Sequence, residues 1–235
     1  MWVSLVEAEE QKRWIRALFS RIADRYDVIN RLLSLGQDQR WRRMVLAAAA
    51  LEEGDRMLDV ATGTGDLPLL AQRWSPTPRV IGTDITLAML RRARGKAGMD
   101  AVPLVAGDGL TLPFRDEAFD AVTSLFLMRN VPDMPQAFRE QVRVAKVGAR
   151  VVCLEMTWPK RIPMRWLLGI YFFGLAPLLG RVIAGAPDAY RYLPESVRRF
   201  LDPPALAEVM RQAGLREVRW RTMMLGTVML HVGVK

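Results

Sequence analysis

The chain has 235 residues, 51% of them apolar, which is enough for one large α/β domain with a full hydrophobic core. The net charge is +9 and most of the 34 basic residues are arginines, so the surface is compatible with anionic lipid or nucleic acid. The single cysteine, Cys153, excludes an intramolecular disulfide and a four-cysteine zinc site, and the single histidine, His231, argues against a transition-metal site.

Residues 1–50 are predicted to be helical. The first 14 residues are acidic and lack an apolar core segment, so no signal peptide is predicted and a cytoplasmic, reducing setting is favoured. Apolar residues recur at helical spacing from Trp14 to Ile22, and a dense polar cluster around Tyr26 follows between two helices. That cluster is either a salt-bridged helix surface or a lid over a cofactor cleft.

An apolar strand, a glycine turn and an apolar helix follow one another between residues 57 and 70. The strand is predicted over 57–61, the turn contains Gly63, Thr64 and Gly65, and Asp66 is expected to cap the helix. This order is typical of nucleotide-binding sites in doubly wound α/β domains. The alternative is a tight strand-to-helix turn that binds no ligand.

The turn differs from the two common phosphate-binding motifs. Pro68 stands where the dinucleotide fingerprint requires its third glycine, and no Gly-Lys-Ser/Thr of a P-loop follows. Asp59, inside the predicted strand, would repel phosphate. Its carboxylate suits the cationic amino acid end of S-adenosylmethionine, which the pattern therefore favours as the ligand.

Carboxylates also follow the next two predicted strands. The second strand, 80–84, ends in Asp84, about 20 residues past the glycine turn, the spacing at which a carboxylate accepts hydrogen bonds from ribose hydroxyls. The alternative role for Asp84 is to cap a helix that starts at Thr86. The third strand, 102–106, is followed by Asp108 and Gly109, where a carboxylate can accept from an adenine amino group.

The alternation of strands and helices continues to residue 156. A fourth strand over 119–126 is followed by Arg129 and Asn130 at its carboxyl end, the edge where ligands bind in open α/β sheets. A helix over 133–146 and a fifth strand over 150–156, which carries Glu155, complete the alternation. The pattern indicates a mostly parallel sheet with helices on both faces.

Residues 158–200 are predicted to form an apolar helical insert or cap. The stretch 166–180 has no charged residue, but it is shorter than the ~20 residues a spanning helix needs and Pro177 interrupts it. It is a buried insert, a cap for a lipid-like substrate, or a segment at a membrane interface. Residues 190–200 are expected to be a loop with a short helix. A helix capped by Asp202 and ended by Gly214 follows, and an antiparallel pair over 218–222 and 227–234 closes the chain.

Together these residues resemble the ubiquinone/menaquinone biosynthesis C-methyltransferases, the UbiE/MenG family, from about Phe19 to the end of the chain. The motifs that carry the resemblance are RIADRYDVINRLLSLGQDQRWRR, LPFRDEAFDAVT followed by Arg129-Asn130-Val131, YRYLPESVRRF and the terminal LHVGVK. The resemblance implies one α/β domain over 1–235 with the class I, Rossmann-like fold of S-adenosylmethionine-dependent methyltransferases. Its sheet would have seven mostly parallel strands with one antiparallel strand, preceded by N-terminal helices (the lid, 1–50) and with the helical insert after the fifth strand.

The resemblance also implies S-adenosylmethionine as co-substrate and no metal. By similarity, the donor contacts are Thr64, Asp84, Asp108 and Gly109, to which the residue types add Asp59, Gly63 and Gly65. Two positions depart from the family pattern: Leu125 replaces a serine of some members, and Leu127 replaces a glycine. These departures concern the acceptor pocket rather than the donor site.

The reaction implied by the resemblance is methylation of a ring carbon on a prenylated quinol, demethylmenaquinol to menaquinol. The alternatives are a polyprenyl-benzoquinol of ubiquinone synthesis, or a protein that binds a quinone or S-adenosylmethionine without turnover. Candidate catalytic residues are Arg129, which could stabilise a quinolate by charge, with Asn130, Tyr26 and His231. Glu155 is a further candidate base, and His231 in a closing strand is alternatively a structural residue.

The expected partner is the lipophilic prenylated quinol. A transient contact with a membrane surface, on the inner face of the cell membrane, is also expected, and so is a homodimer. Nucleic acid is not expected to be a substrate. The Asn/Asp-Pro-Pro-Tyr/Phe motif of amino-group methyltransferases is missing after the fourth strand, and one cysteine does not suffice for methylation of cytosine C5.

Overall fold

A single twisted sheet organises the part of the chain that the structure describes. The structure is a computed structural model that describes residues 5–159, 169 and 187–235. Its strands are β1 (Arg56–Val60), β2 (Arg79–Asp84), β3 (Leu104–Ala106), β4 (Phe119–Leu125), β5 (Ala145–Met156), β6 (Arg216–Met223) and β7 (Val228–Val234). They lie in the order β3-β2-β1-β4-β5-β7-β6. The first five run parallel, whereas β7 is antiparallel to both of its neighbours, so the seven-stranded, mostly parallel sheet is confirmed.

Helices cover both faces of this sheet. They are α1 (Leu5–Ile22), α2 (Tyr26–Leu33), α3 (Asp38–Ala49), α4 (Asp66–Ala71), α5 (Leu87–Arg94), α6 (Met134–Val144), α7 (Pro187–Arg199) and α8 (Pro203–Gln212). One core layer packs α6 and α8 against the sheet, and the other packs α3 and α4 against the opposite face. Successive strand residues alternate between the layers, as Val151 and Cys153 face one layer and Val152 and Leu154 the other.

The N-terminal helices divide into two groups. Helix α3 belongs to the sheet core, since its Trp41, Val45 and Leu46 are buried there. Helices α1 and α2, called the helical pair below, instead form a separate apolar cluster in which Leu18 and Ile29 pack with Met89 of α5. The helical pair therefore lies beside the sheet edge rather than within its layers.

The carboxyl ends of the central strands meet where the strand order reverses. Strand β1 pairs with β2 on one side and with β4 on the other, with Val60 opposite both Thr83 and Ser124. Loops that leave β1 and β4 turn to opposite faces at this point, which opens a crevice between them. The residues after β1, β2 and β4 therefore converge on one place.

Three local predictions need correction. Residues 190–200 are not a loop with a short helix, because α7 runs through them with Pro194 inside; burial of Val197 against the core outweighs the helix-breaking effect of the proline. Asp66 begins α4 but makes no capping hydrogen bond, since Gly65 occupies the cap position and the Asp66 carboxylate pairs with cations instead. Strand β5 starts at Ala145, so the preceding helix ends at Val144.

Other predictions agree with the structure or lie outside it. The Asp202 carboxylate caps α8 by accepting from the backbone N–H of Ala205 at 3.0 Å. The predicted apolar stretch 166–180 lies outside the described residues, apart from Gly169. Within the described ranges, no helix combines the length and apolar character required to cross a membrane.

The single cysteine is part of the sheet core. Cys153 on β5 has no exposed surface and pairs in register with Ser124 on β4 and His231 on β7. Burial raises the pKa of its thiol well above the usual range. The thiol is therefore protonated and shielded at physiological pH.

Candidate active site

The glycine turn after β1 is open on one side and closed on the other. Gly63 and Gly65 both have positive φ, at 57° and 77°, which favours glycine. A Cβ atom on Gly65 would lie 2.7 Å from Met99 Cε, so packing against Met99 also demands glycine there. A Cβ on Gly63 would meet only Tyr26 Cε1, at 3.9 Å. The backbone at Gly63 is thus the part of the turn that a ligand can approach.

Asp84 joins the ends of β1 and β2. Its Oδ2 accepts from the backbone N–H of Gly63 at 2.8 Å and its Oδ1 from that of Thr86 at 2.7 Å. Thr86, not Asp84, occupies the cap position of α5. Burial raises the pKa of Asp84, opposed by these hydrogen bonds. The carboxylate lines the crevice, and the Thr86 side chain is a third hydrogen-bond partner. Since a carboxylate has about four acceptor positions, about one remains for a ligand.

Asp59 lies behind the turn instead of in the crevice. Its two oxygens accept from the Thr62 hydroxyl at 2.7 Å and the Thr123 hydroxyl at 2.9 Å. The residue is 2% exposed, and this burial is the main reason that its pKa rises to about 6. Asp59 therefore places a buried, titratable charge beneath the turn.

Asp108, after β3, is bound by a lysine from the helical pair. Its Oδ2 lies 2.8 Å from Lys12 Nζ, which also pairs with Glu9, and its Oδ1 accepts from the Leu110 N–H at 2.9 Å. A Cβ on the neighbouring Gly109 would lie 3.6 Å from Leu127 Cδ2. The sequence interpretation missed Lys12, for which helical periodicity offers no signal.

Thr64 is held by an ion-pair network rather than directed into the crevice. Its hydroxyl donates to Asp27 of α2. Lys96 Nζ joins Asp27 at 2.7 Å to Asp66 at 2.6 Å, and Arg42 of α3 reaches the other oxygen of Asp66 at 3.1 Å. The network ties the helical pair to the glycine turn. Only the rarity of lysine in this chain could have singled out Lys96 beforehand.

Arg129 and Glu155 form a buried ion pair at the carboxyl ends of β4 and β5. Arg129 lies in a short turn over Met128–Asn130, and its Nη1 is 2.7 Å from Glu155 Oε2. The Glu155 side chain has no exposure and that of Arg129 only 9%. The guanidinium also lies 5.2 Å from the centre of the Phe126 ring. Glu155 is thus committed to Arg129, which makes it a poor candidate for a free base.

Asn130 is fixed by a residue that the sequence interpretation did not select. Its Nδ2 donates to the Phe126 carbonyl at 2.8 Å, and its Oδ1 accepts from the Tyr192 hydroxyl at 2.9 Å. Tyr192 comes from α7 and packs edge-on against Trp14 of α1, with ring centroids 4.8 Å apart. Since both amide atoms are engaged, the orientation of Asn130 is set and one N–H remains for a ligand.

Tyr26 stands at the junction of two cavities. The edge cleft, of about 470 Å³ including space open to solvent, is lined by Ile15, Phe19, Tyr26, Ala61, Gly63, Asp84, Ile85, Thr86, Met89, Leu125, Phe126, Leu127 and Asn130. The apolar pocket, of about 510 Å³, is lined by Leu18, Phe19, Ile22, Tyr26, Ile29, Asn30, Leu33, Arg129, Asn130, Tyr192 and Leu193. Phe19, Tyr26 and Asn130 line both. Burial raises the pKa of Tyr26, opposed by a hydrogen bond with Asn30.

His231 lies apart from these cavities. It is buried in the sheet on β7, its Nε2 is 2.9 Å from the Pro203 carbonyl oxygen, and its ring stacks on Trp220. Burial lowers the pKa of His231 below its usual value. The structure thus gathers Tyr26, Arg129 and Asn130 with Gly63 and Asp84, but it does not bring His231 to them.

Comparisons with known proteins agree with this arrangement. The model of the ubiE/COQ5 methyltransferase family matches residues 5–235. A demethylmenaquinone methyltransferase from Roseiflexus castenholzii is 42% identical over 227 residues, covering 97% of this chain and 95% of the relative. A ubiquinone/menaquinone biosynthesis C-methyltransferase from Desulfotalea psychrophila is 40% identical over 221 residues, covering 94% and 90%.

A solved structure shares the fold at low sequence identity. A SAM-dependent methyltransferase from Thermotoga maritima superimposes with a TM-score of 0.63 at 18% identity, covering 94% of this chain and 99% of that one. The likeness shows the fold, that of class I S-adenosylmethionine-dependent methyltransferases.

Proposed function

Because the chain belongs to the ubiE/COQ5 methyltransferase family, we propose that it transfers a methyl group from S-adenosylmethionine to a ring carbon of a prenylated quinol. Demethylmenaquinol is the acceptor we favour, since the Roseiflexus castenholzii relative is named a demethylmenaquinone methyltransferase. The observation that carries the proposal is the pair of cavities that share Phe19, Tyr26 and Asn130. Both are lined mainly by apolar side chains. The edge cleft adds the Asp84 carboxylate and the Gly63 backbone, which suit the donor, and the apolar pocket, with Arg129 in its wall, can take a lipophilic acceptor.

The residues around the edge cleft fit the donor. The Gly63 backbone is open to close approach, and Asp84 would offer its remaining acceptor position to a ribose hydroxyl. Asp108 and Gly109 would bound the adenine, with Lys12 holding one carboxylate oxygen. Thr64 and Gly65 would act by shaping the turn, because the Thr64 hydroxyl is bound to Asp27.

Asp59 would serve the donor from a distance. Its carboxylate lies under the turn, where it accepts from the Thr62 hydroxyl. From there its charge would attract the cationic amino acid end of the donor without direct contact. This role makes donor affinity depend on pH, because Asp59, with a pKa of about 6, carries its charge only above that pH.

The bound donor supplies an electrophilic methyl group on sulfur, and the residues of the chain align the acceptor and stabilise charge. Arg129 lines the apolar pocket, and its Nε is a buried donor without a hydrogen-bond partner among the described residues. We assign that N–H to a quinol oxygen, where the guanidinium would favour the ionised form. Asn130 would offer its remaining N–H to the same ring.

Tyr26 would act as a hydrogen-bond donor rather than as a base. Since burial raises the pKa of Tyr26, its phenol is protonated at neutral pH. Glu155 would balance the charge of Arg129, and His231 would stabilise the sheet through Pro203. In this mechanism the ring hydroxyl loses its proton to solvent water because Arg129 favours the ionised form, without a dedicated protein base. The ring carbon then bonds to the methyl group as the bond from methyl to sulfur breaks and sulfur keeps the electron pair. The proton of that ring carbon returns to the ring oxygen as the aromatic ring is restored.

Labelled methyl transfer tests the proposal. Purified protein is incubated in detergent with methyl-labelled S-adenosylmethionine and either reduced demethylmenaquinone or a demethylated prenyl-benzoquinol. We expect label in the naphthoquinol and, with donor well below its wild-type Kd, about tenfold less label with the Asp84→Asn variant, whereas the exposed Asp100→Asn control retains activity. Label in the benzoquinol alone would favour ubiquinone synthesis. Donor binding by calorimetry without label in either acceptor would favour the non-catalytic alternative.

A further inference from the structure

Helix α2 carries two groups of apolar side chains, one exposed and one buried, about 100° apart around its axis. Val28, Leu32 and Leu35, called the outer stripe below, are 57%, 42% and 70% exposed. Val28 and Leu32, four residues apart, lie along one side of the helix, and Leu35 lies in the turn that follows it, with a positive φ of 52°. Ile29 and Leu33, about 100° further round the helix, face the protein and line the apolar pocket. A short helix that is apolar towards both protein and solvent is typical of an element at an interface.

The charges around the outer stripe are strongly unbalanced. Between residues 21 and 43 the exposed charged side chains are Arg21, Asp24, Arg25, Arg31, Arg40 and Arg43, which is five arginines against one aspartate. The remaining charges of this segment are turned inward: Asp38 pairs with Arg42 at 2.5 Å, and Asp27 with Lys96 at 2.7 Å. The surface around the stripe is therefore positive.

We propose that the outer stripe of α2 and its surrounding arginines dock on an anionic lipid surface. Exposed aliphatic side chains enter the interfacial region, and arginines pair with anionic headgroups, which is how amphipathic helices bind membranes. A second copy of this chain is a poorer occupant, because a two-fold interface would bring two arginine-rich faces together.

Docking would place the apolar pocket next to the bilayer. On α2 the outer stripe would contact the lipid, while Ile29 and Leu33, on the adjoining side of the helix, line the pocket. A lipophilic acceptor could then enter the pocket without crossing water. This second part rests on the proposed function, whereas the lipid contact does not.

The lipid contact is tested by vesicle flotation without donor or acceptor. Vesicles of phosphatidylcholine and phosphatidylglycerol at about 7:3 are compared with pure phosphatidylcholine, and sodium chloride is raised from about 0.1 M to about 0.5 M. The variants are Val28→Glu and Leu32→Glu. The matched control is Val147→Glu, since Val147 is 72% exposed near the start of β5, at the opposite edge of the sheet. Calorimetric donor affinity and the urea midpoint verify that each variant is folded.

We expect the wild-type protein to float with the anionic vesicles and to be released by salt. Val28→Glu and Leu32→Glu should each lower the partition coefficient about tenfold, with Val147→Glu within about twofold of wild type. The proposal is overturned if the wild-type protein does not bind, or if the α2 variants bind as the control does. It is also overturned if light scattering shows a dimer that Val28→Glu dissociates and Val147→Glu does not.

Activity separates this proposal from the proposed function. With detergent-solubilised acceptor, Val28→Glu and Leu32→Glu should turn over at the wild-type rate, and only with acceptor embedded in vesicles should they slow. If the wild-type protein is inactive in both assays but flotation follows the expected pattern, lipid docking by α2 is supported and the proposed function is wrong.

Discussion

Replacing Asp59 by asparagine should change the pH dependence of stability. Burial raises the pKa of this carboxyl from 3.8 to about 6 in the folded protein. The folded state then holds the proton more tightly than the unfolded state does. The stabilising contribution is complete below pH ~4 and is lost as pH rises through ~6. Two pKa units correspond to about 3 kcal/mol at ~1.36 kcal/mol per unit, and the residue is too buried for solvent to screen the effect.

The asparagine of this variant has nearly the same shape as Asp59 but carries no charge. It can still accept one hydroxyl, and the Thr123 hydroxyl has the Leu58 carbonyl oxygen within 3.4 Å as an alternative acceptor. The unfolding free energy of Asp59→Asn minus that of wild type should therefore rise by about 3 kcal/mol between pH 4 and pH 7. Urea unfolding at half-unit steps of pH measures this difference, and other titrating groups cancel in it.

A second variant gives a control of opposite sign. Burial alone would raise the pKa of Asp120, but the Lys146 ammonium and the Arg56 N–H together hold that pKa below its usual value. Relative to wild type, Asp120→Asn should lose stability as pH rises towards ~4, and the difference should stay level above that pH. A difference for Asp59→Asn that stays flat from pH 4.5 to pH 7.5 would refute the argument that burial dominates at Asp59. If Asp59 also attracts the donor, wild-type donor affinity should rise through pH ~6, and the variant should lack that rise.

Three further substitutions probe the site. Asp84→Asn can accept only one of the two backbone N–H groups, so calorimetry should show donor affinity at least about tenfold weaker; unchanged affinity would count against the ribose role. Glu155→Gln leaves the Arg129 charge buried and unpaired, so urea unfolding should show a loss of about 3–5 kcal/mol that adding Arg129→Met largely restores; a double variant less stable than either single would contradict this. Tyr192→Phe frees the Asn130 amide, so kcat should fall about tenfold while the donor Kd stays constant; equal losses in both would mean that Tyr192 is only structural.

The sheet could be predicted from the sequence because its signals are local. Short apolar runs mark β1, β2 and β4, and each of them begins and ends within one residue of its predicted bounds. Errors arose where tertiary burial outweighed local preference. The polar and aromatic composition of residues 190–200 predicts a loop with a short helix, yet Val197 is fully buried and α7 continues through Pro194.

The candidate site was predictable in position but not in its contacts. Parallel strands bring their carboxyl ends together, so the strand assignments alone bring Asp84 and Asn130 to one crevice. The partners of those residues come from distant segments with no local signature. Lys12 pairs with Asp108, which lies far along the chain from it, and Tyr192, which follows the predicted insert, donates to Asn130. Burial of Asp59 follows from the same long-range packing. The sequence therefore predicts a donor contact at Asp59, whereas the structure places its carboxylate behind the turn.

The buried thiol in β5 makes the chain convenient for site-directed labelling. Because Cys153 is fully enclosed and its thiol is protonated at neutral pH, maleimide reagents should leave the wild-type protein unmodified under native conditions. A cysteine introduced at the exposed position Glu10 on α1 would then be the sole reactive group, with no background to remove. A fluorophore there would report in real time whether the helical pair moves when the donor or lipid is added.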